Sequence, residues 1–163
     1  ALSEVMASVG RIMSDRARAA SVELVFELEP DIPHLRADQR LLRQILINLV
    51  SNAVKFSAMG KAVRVTAALM PDNHMRLSVE DEGCGIAADK IDAVQEPFGQ
   101  VNDPRNYRGQ GTGLGLPLAK AMIELHGGSL LIESEEGRGT KVYLSFPPVR
   151  TMNAHQSSQD LKP

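Results

Sequence analysis

Between residues 82 and 113 the chain runs through roughly thirty residues rich in Gly, Pro, Asn and Asp, broken by one short helical pattern near residues 88 to 94. Connections in compact domains are usually far shorter, and a tract of this length is either functional or disordered. Glycine motifs bound it on both sides. Asp81-Glu82-Gly83-Cys84-Gly85-Ile86 precedes it, and Gly109-Gln110-Gly111-Thr112-Gly113-Leu114-Gly115-Leu116 follows it. Any fold for this chain must hold a long loop at one edge while the flanking segments build the core.

The flanks carry clear periodicities. Leu42, Ile45, Leu46, Leu49 and Ala53 form an apolar stripe at helical spacing, Asp38 stands where an N-cap belongs, and the spacing predicts a helix over residues 39 to 56. Residues 22 to 28 read as a strand. Val63, Val65, Ala67 and Leu69, then Met75, Leu77 and Val79, alternate with polar residues around Pro71-Asp72-Asn73, the pattern of a hairpin. Because strand side chains alternate faces, Asp81 shares the face of Met75, Leu77 and Val79, which puts a carboxylate at the end of a buried row. A helix over residues 114 to 126 stops at Gly127-Gly128, and strands follow near residues 129 to 134 and 140 to 146. Leu2, Val5, Met6, Val9, Ile12 and Met13 make residues 1 to 20 an amphipathic helix, its stripe packed on this core or on an absent domain. Residues 149 to 163, beyond Pro147, read as a disordered tail. With 163 residues, 43% of them apolar, one core suffices. The expected class is α+β, a two-layer α/β sandwich with one mixed sheet covered by helices on one face.

Composition removes several function classes. A net charge of −2 speaks against nucleic-acid binding through overall charge, and the single Cys84 cannot form an internal disulfide. No apolar run approaches the roughly 20 residues that cross a bilayer. The expected setting is reducing and cytoplasmic. The start at Ala1 suggests a piece of a longer protein, with room for a membrane sensor upstream.

Three constellations carry chemistry. Asn48, Asn52 and Lys55 recur at spacings of four and three on the side of the long helix away from its stripe, and Gln44 extends the row. The row reads as a solvated polar face or as a nucleotide site, since an Asn carbonyl suits one place in a Mg²⁺ shell and a lysine neutralises phosphate. Asp81 is a turn former or an acceptor; a carboxylate cannot donate, so it selects a base with an exocyclic amine, adenine rather than guanine. The alternating glycines from Gly109 are a hinge, or an anion cradle whose amides are backed by a helix dipole. No GxxxxGK[ST] loop and no strand-linked GxGxxG is present.

Taken in order, these segments resemble the boxes of sensor histidine kinases over residues 22 to 147. Asn48 to Ser57 is similar to the N box, Asp81 to Ile86 to the first glycine box, and Glu96-Pro97-Phe98-Gly99-Gln100 to the F box. Gly109 to Leu116 is similar to the second glycine box, and Gly137-Arg138-Gly139-Thr140 to the last motif before the closing strand. The resemblance implies the GHKL (Bergerat) fold, with ATP and Mg²⁺ as cofactors. It implies Asn52 as metal ligand, Asn48 and Lys55 at the phosphates, Phe56 against adenine, and Asp81 on the adenine amine. Gly83, Gly85, Ile86 and Phe98 would line the site, and Gly109, Gly111, Thr112, Gly113, Leu114 and Gly115 would cradle phosphate. Thr140, in phase with Val142, Leu144 and Phe146, would support the base. Residues 86 to 113 become a lid from which Arg105 or Arg108 reaches the γ-phosphate.

Two departures refine the reading. Related chaperone, gyrase and mismatch-repair ATPases carry a water-activating glutamate where this chain has Asn48, so a kinase is favoured over a hydrolase. His34, His74, His126 and His155 are not followed by an acidic residue as an acceptor histidine would be. The expected function is therefore presentation of ATP to a histidine on an absent dimerisation and phosphotransfer domain, joined through residues 1 to 20. Residues 21 to 148 would form the catalytic domain, with a homodimer in the full protein, a response regulator or receiver as partner, and no nucleic acid. The glycine-rich helix also resembles hybrid or cell-cycle kinases of alphaproteobacteria. The rival expectation is an interaction platform for which ATP turnover is dispensable; a GHKL ATPase is the third.

Overall fold

The long central helix forms because three local signals agree. In the computed structural model, which describes residues 1–99 and 113–152, α2 spans Gln39–Phe56. Asp38 Oδ1 accepts the amides of Arg40 (2.7 Å) and Leu41 (3.1 Å), satisfying donors that a helix start leaves open. Those bonds hold the Asp38 carboxyl below its ordinary value. Its apolar stripe is buried from Leu42 to Val54.

Five strands make a sheet in the order β1-β3-β4-β6-β5. β1 (Glu23–Leu28) runs parallel to β3 (Ala62–Leu69), with α2 as the crossover. β4 (Met75–Asp81), β6 (Gly139–Phe146) and β5 (Ser129–Glu135) add antiparallel. Met75, Leu77, Val79 and Asp81 are all buried, as the alternation requires. So are Val63, Val65, Ala67, Val142, Leu144 and Phe146, and the helices pack on this face. The opposite face carries polar pairs: Lys141 with Glu80 (2.9 Å), the Thr66 and Ser78 hydroxyls (2.7 Å), Tyr143 with Glu133 (2.9 Å), and Arg64 with Glu27. Exposed ion pairs of this kind are worth little each, so apolar burial on the helix side carries the sheet.

α1 (Leu2–Ala19) packs against α2 and β1. Leu2, Val5, Met6, Val9, Met13 and Ala17 are buried, so its stripe belongs to this core. Ile12, expected in that stripe, is 53% exposed, because it sits on the flank of the helix rather than at its centre. α3 (Gly115–Leu125) runs antiparallel to α2. At its C-terminus His126 is buried and bridges the two helices. Its Nε2 accepts the Asp38 amide (3.1 Å), so Nδ1 carries the proton and donates to Met122 O (2.8 Å).

Two local details differ from the sequence reading. Residues 88 to 94 form no α-helix; two 3₁₀ turns, Ala88–Lys90 and Ala93–Gln95, take their place. The expected tail does not begin at residue 149. A 3₁₀ turn at Pro148–Arg150 leads into β7 (Thr151–Met152), which pairs antiparallel with β2 (His34–Leu35). Arg36 N donates to Arg150 O (2.7 Å), closing that strap beside the start of α2.

Because α1 supplies one side of the core, Met13→Ala should destabilise the chain by about 2–4 kcal/mol in urea unfolding. Removal of residues 1 to 20 should abolish the cooperative transition. An unchanged midpoint after truncation would show α1 to be an appendage.

Candidate functional site

The polar row on α2 faces the start of α3. Gln44 Nε2 donates to Asn48 Oδ1 (3.1 Å). That leaves Asn48 Nδ2 buried with no hydrogen-bond partner among the described residues. An orphaned buried donor costs about 1–3 kcal/mol, a cost that a partner's acceptor atom would remove. A Cβ on Gly115 would lie 3.5 Å from Asn52 Nδ2 and 3.9 Å from Asn48 Cβ, so the first turn of α3 meets this row directly. The N-cap residue Leu114 makes no side-chain capping bond, so it leaves the Gly115 and Leu116 amides, at the positive end of the α3 dipole, uncapped by its side chain. An anion is the complement of that arrangement.

Lys55 ends the row, its Nζ 4.8 Å from the centroid of the half-exposed Phe56 ring. Its pKa is lowered, first by burial and then by the charge of Arg16 on α1. Arg16, which belongs to no sequence box, lies close enough for its charge to be felt at Lys55.

The second half of the site is the end of the sheet. Asp81 is 9% exposed. Desolvation pushes its carboxyl up to about 6, against the bonds it accepts from the Gly83 and Thr140 amides, with Glu80 adding to the rise. Oδ1 holds the Gly83 amide at 2.9 Å. Ser57, the residue after α2, bridges to Gly83. A Cβ at Gly83 would fall 2.2 Å from Phe56 O, and one at Gly85, where φ is 67°, would fall 2.0 Å from Glu135 O. The two glycines thus let the chain after Asp81 thread between α2 and the β5–β6 turn. Thr140 lies directly opposite Asp81 in the β4–β6 register. The sequence reading missed Ser134, which follows Thr140 in the same row and bonds both Thr140 and the amide of Ile86.

Asn48, Asn52, Lys55, Phe56, Asp81, Gly83, Gly85, Ile86, Leu114, Gly115 and Thr140 therefore belong to one contiguous region between α2, α3 and the ends of β4 and β6. Gly113 (φ 69°) borders it and accepts the Phe98 amide at 3.2 Å. Phe98 is 73% exposed. Arg105, Arg108, Gly109, Gly111 and Thr112, with residues 100–112 of the expected lid, lie outside the described residues. Those residues also contain no cluster of His, Cys, Asp and Glu able to hold a metal unaided. The oxygen-bearing Asn side chain fits Mg²⁺ only in company with phosphate oxygens. No helix among the described residues is long and apolar enough to cross a membrane.

A family model described as histidine kinase-, DNA gyrase B-, and HSP90-like ATPase matches residues 37–150. An uncharacterized sensor-like histidine kinase of Rhizobium meliloti (strain 1021) is 42% identical over 146 residues, which are 90% of this chain and 28% of that protein. Full-length ShkA, solved in complex with AMPPNP, superposes with a TM-score of 0.82 at 31% identity, over 94% of this chain and 31% of its own. The nucleotide-free catalytic domain of the histidine kinase ThkA gives a TM-score of 0.76 at 26% identity, over 90% and 94%. The chain spans less than a third of the first two proteins.

Asp81 trades stability for its charge. An acid whose folded pKa is near 6 against an ordinary 3.8 binds more protons folded than unfolded between those values. Its penalty therefore grows as pH rises from about 4 to 6 and is constant above, reaching about 3 kcal/mol at about 1.4 kcal/mol per unit. Asp81→Asn should raise stability by up to that amount at pH 8 and by nothing near pH 4, read by urea unfolding across pH. A variant less stable at pH 8 would contradict the assignment.

Proposed function

Because the chain belongs to the histidine kinase-, DNA gyrase B- and HSP90-like ATPase family, we propose that it binds ATP with Mg²⁺ and presents the γ-phosphate to a histidine on a separate dimerisation and phosphotransfer domain. The observation that carries this is the pairing of two complementary features. A buried acceptor, Asp81, sits at the sheet end, and a helix start that the Leu114 side chain does not cap lies beside Asn48 Nδ2, a donor without a partner among the described residues, between α2 and α3. The first suits the exocyclic amine of adenine and the second suits phosphate oxygens.

In this reading Asp81 accepts from the adenine amine, and Phe56 covers the base. Asn48 Nδ2, Lys55 and the Gly115 and Leu116 amides neutralise and orient the phosphates. Asn52 offers a carbonyl oxygen to Mg²⁺, which when bound supplies further charge neutralisation. Arg105 and Arg108 are proposed to reach the γ-phosphate from the lid. Phosphoryl transfer asks of a protein mainly positioning and electrostatics, and the residues here supply donors and cations. None of Asn48, Asn52 and Lys55 is a carboxylate base for water, which supports transfer to a nucleophile from elsewhere over hydrolysis. By the same reading the full protein works in the cytoplasm as a homodimer with a response regulator or receiver.

Calorimetric titration with AMPPNP should show binding that strengthens with Mg²⁺, and Asn52→Ala should remove the Mg²⁺ effect. Added to its cognate histidine domain with ATP, the chain should yield acid-labile phosphate. Binding without transfer would favour the interaction platform, and no binding would sink the assignment. Since the ionised Asp81 is the stronger acceptor and has no proton to set against the amine, affinity should be flat above pH 7 and fall below pH 6, by up to about tenfold per unit, toward the weaker affinity of the protonated form. In Asp81→Asn that slope should vanish together with most of the affinity.

A further inference from the structure

Asp81, Thr140 and Ser134 form one row across β4, β6 and β5, each directly opposite the next. The Ser134 hydroxyl lies 2.8 Å from three groups: the Ile86 amide, Gly139 O and Thr140 Oγ1. A hydroxyl has one proton and accepts two. The amide must donate to Ser134, and the carbonyl must receive its proton. Thr140 then has one role left, to donate its own proton to Ser134. With that proton held on the β5 side, what Thr140 Oγ1 keeps for other partners is lone pairs.

From this we infer that Ser134 is a positioning residue that fixes the Thr140 hydroxyl as an acceptor, so that the sheet end reads 6-amino and rejects 6-oxo purine nucleotides. The inference rests on the proposed ATP reading, in which Asp81 and Thr140 face the base. Two acceptors side by side suit an exocyclic amine, which has two protons. They leave a 6-oxo group without a donor, and buried acceptors facing one another are costly. Were Thr140 free to rotate, it would donate to a 6-oxo group, and the discrimination would narrow. Asp81 alone does not secure the preference while its neighbour is free to turn.

Ser134 also anchors the root of the lid through Ile86, and the test separates that role from the one inferred. ADP and IDP, each with Mg²⁺, are titrated into the chain and its variants. Parent protein should prefer ADP. Ser134→Ala should shrink the ADP-to-IDP preference by about tenfold, the worth of one hydrogen bond, and Ser134→Thr, which keeps the hydroxyl, should restore it. Thr140→Val should shrink it similarly, and the double variant Ser134→Ala/Thr140→Val should lose no more than Thr140→Val alone. Loss of the lid anchor alone weakens both nucleotides equally and leaves their ratio unchanged. That result, or a parent that does not discriminate, overturns the inference while leaving ATP binding intact. Failure of the parent to bind ADP at all overturns the ATP reading instead. Should Ser134→Ala not fold, Ser134→Cys replaces it as a poor acceptor of similar size, with the same narrowing expected and an unchanged ratio counting against.

Discussion

A carboxylate held almost out of water at the end of an otherwise apolar strand row sets the terms for the rest of this structure. Burying an ionisable group is unfavourable unless partners meet it, and the fold meets Asp81 with the Gly83 and Thr140 amides. Supplying the Gly83 amide requires the chain to turn back at once, with Phe56 O so close that no side chain fits at Gly83. The end of α2 and the start of the lid are thereby pinned to one point. The residual cost shows in a carboxyl pushed up to about 6, and under the proposed function a ligand amine would relieve it. Strain of this kind at a functional position follows a general trade between stability and activity.

The second constraint is the antiparallel pair α2 and α3. At one end His126 uses both ring nitrogens to tie the last turn of α3 to the cap of α2. At the other end Gly115 brings the open start of α3 against Asn48 and Asn52. Locking the far end helps set the distance between helices at the near end, where Asn48 Nδ2 has no partner among the described residues. The β2–β7 strap sits beside the same cap and adds a third attachment at a point remote from the site.

Much of this was legible in the sequence where a local rule decided the outcome. Asp38 as cap and Phe56 as last residue gave α2 its limits, and period-two alternation placed Asp81 on the buried face before any coordinates. The rest depended on contacts distant in sequence. His126 meets Asp38 across 88 positions, and no periodicity announces which nitrogen accepts. Ser134 shares a face with Thr140 by alternation, yet its value lies in three bonds converging on one oxygen. β2 and β7 are too short to show a pattern of their own. Ile12 has helical spacing but falls on the margin of the buried arc, a distinction that depends on where α2 lies. Arg105, Arg108 and the first half of the second glycine box, Gly109 to Thr112, lie outside the described residues, where only the sequence speaks.

The claim that the Asp81 carboxylate is the reader of the base is best tested on that carboxyl itself. A ¹³C NMR titration of the Asp81 side chain, in the free chain and again saturated with AMPPNP and Mg²⁺, measures its protonation directly. The account predicts a midpoint near 6 in the free protein and a fall of about a unit or more on binding, because linkage requires a ligand that selects the ionised form to lower that pKa. A midpoint unmoved by saturating nucleotide would contradict it.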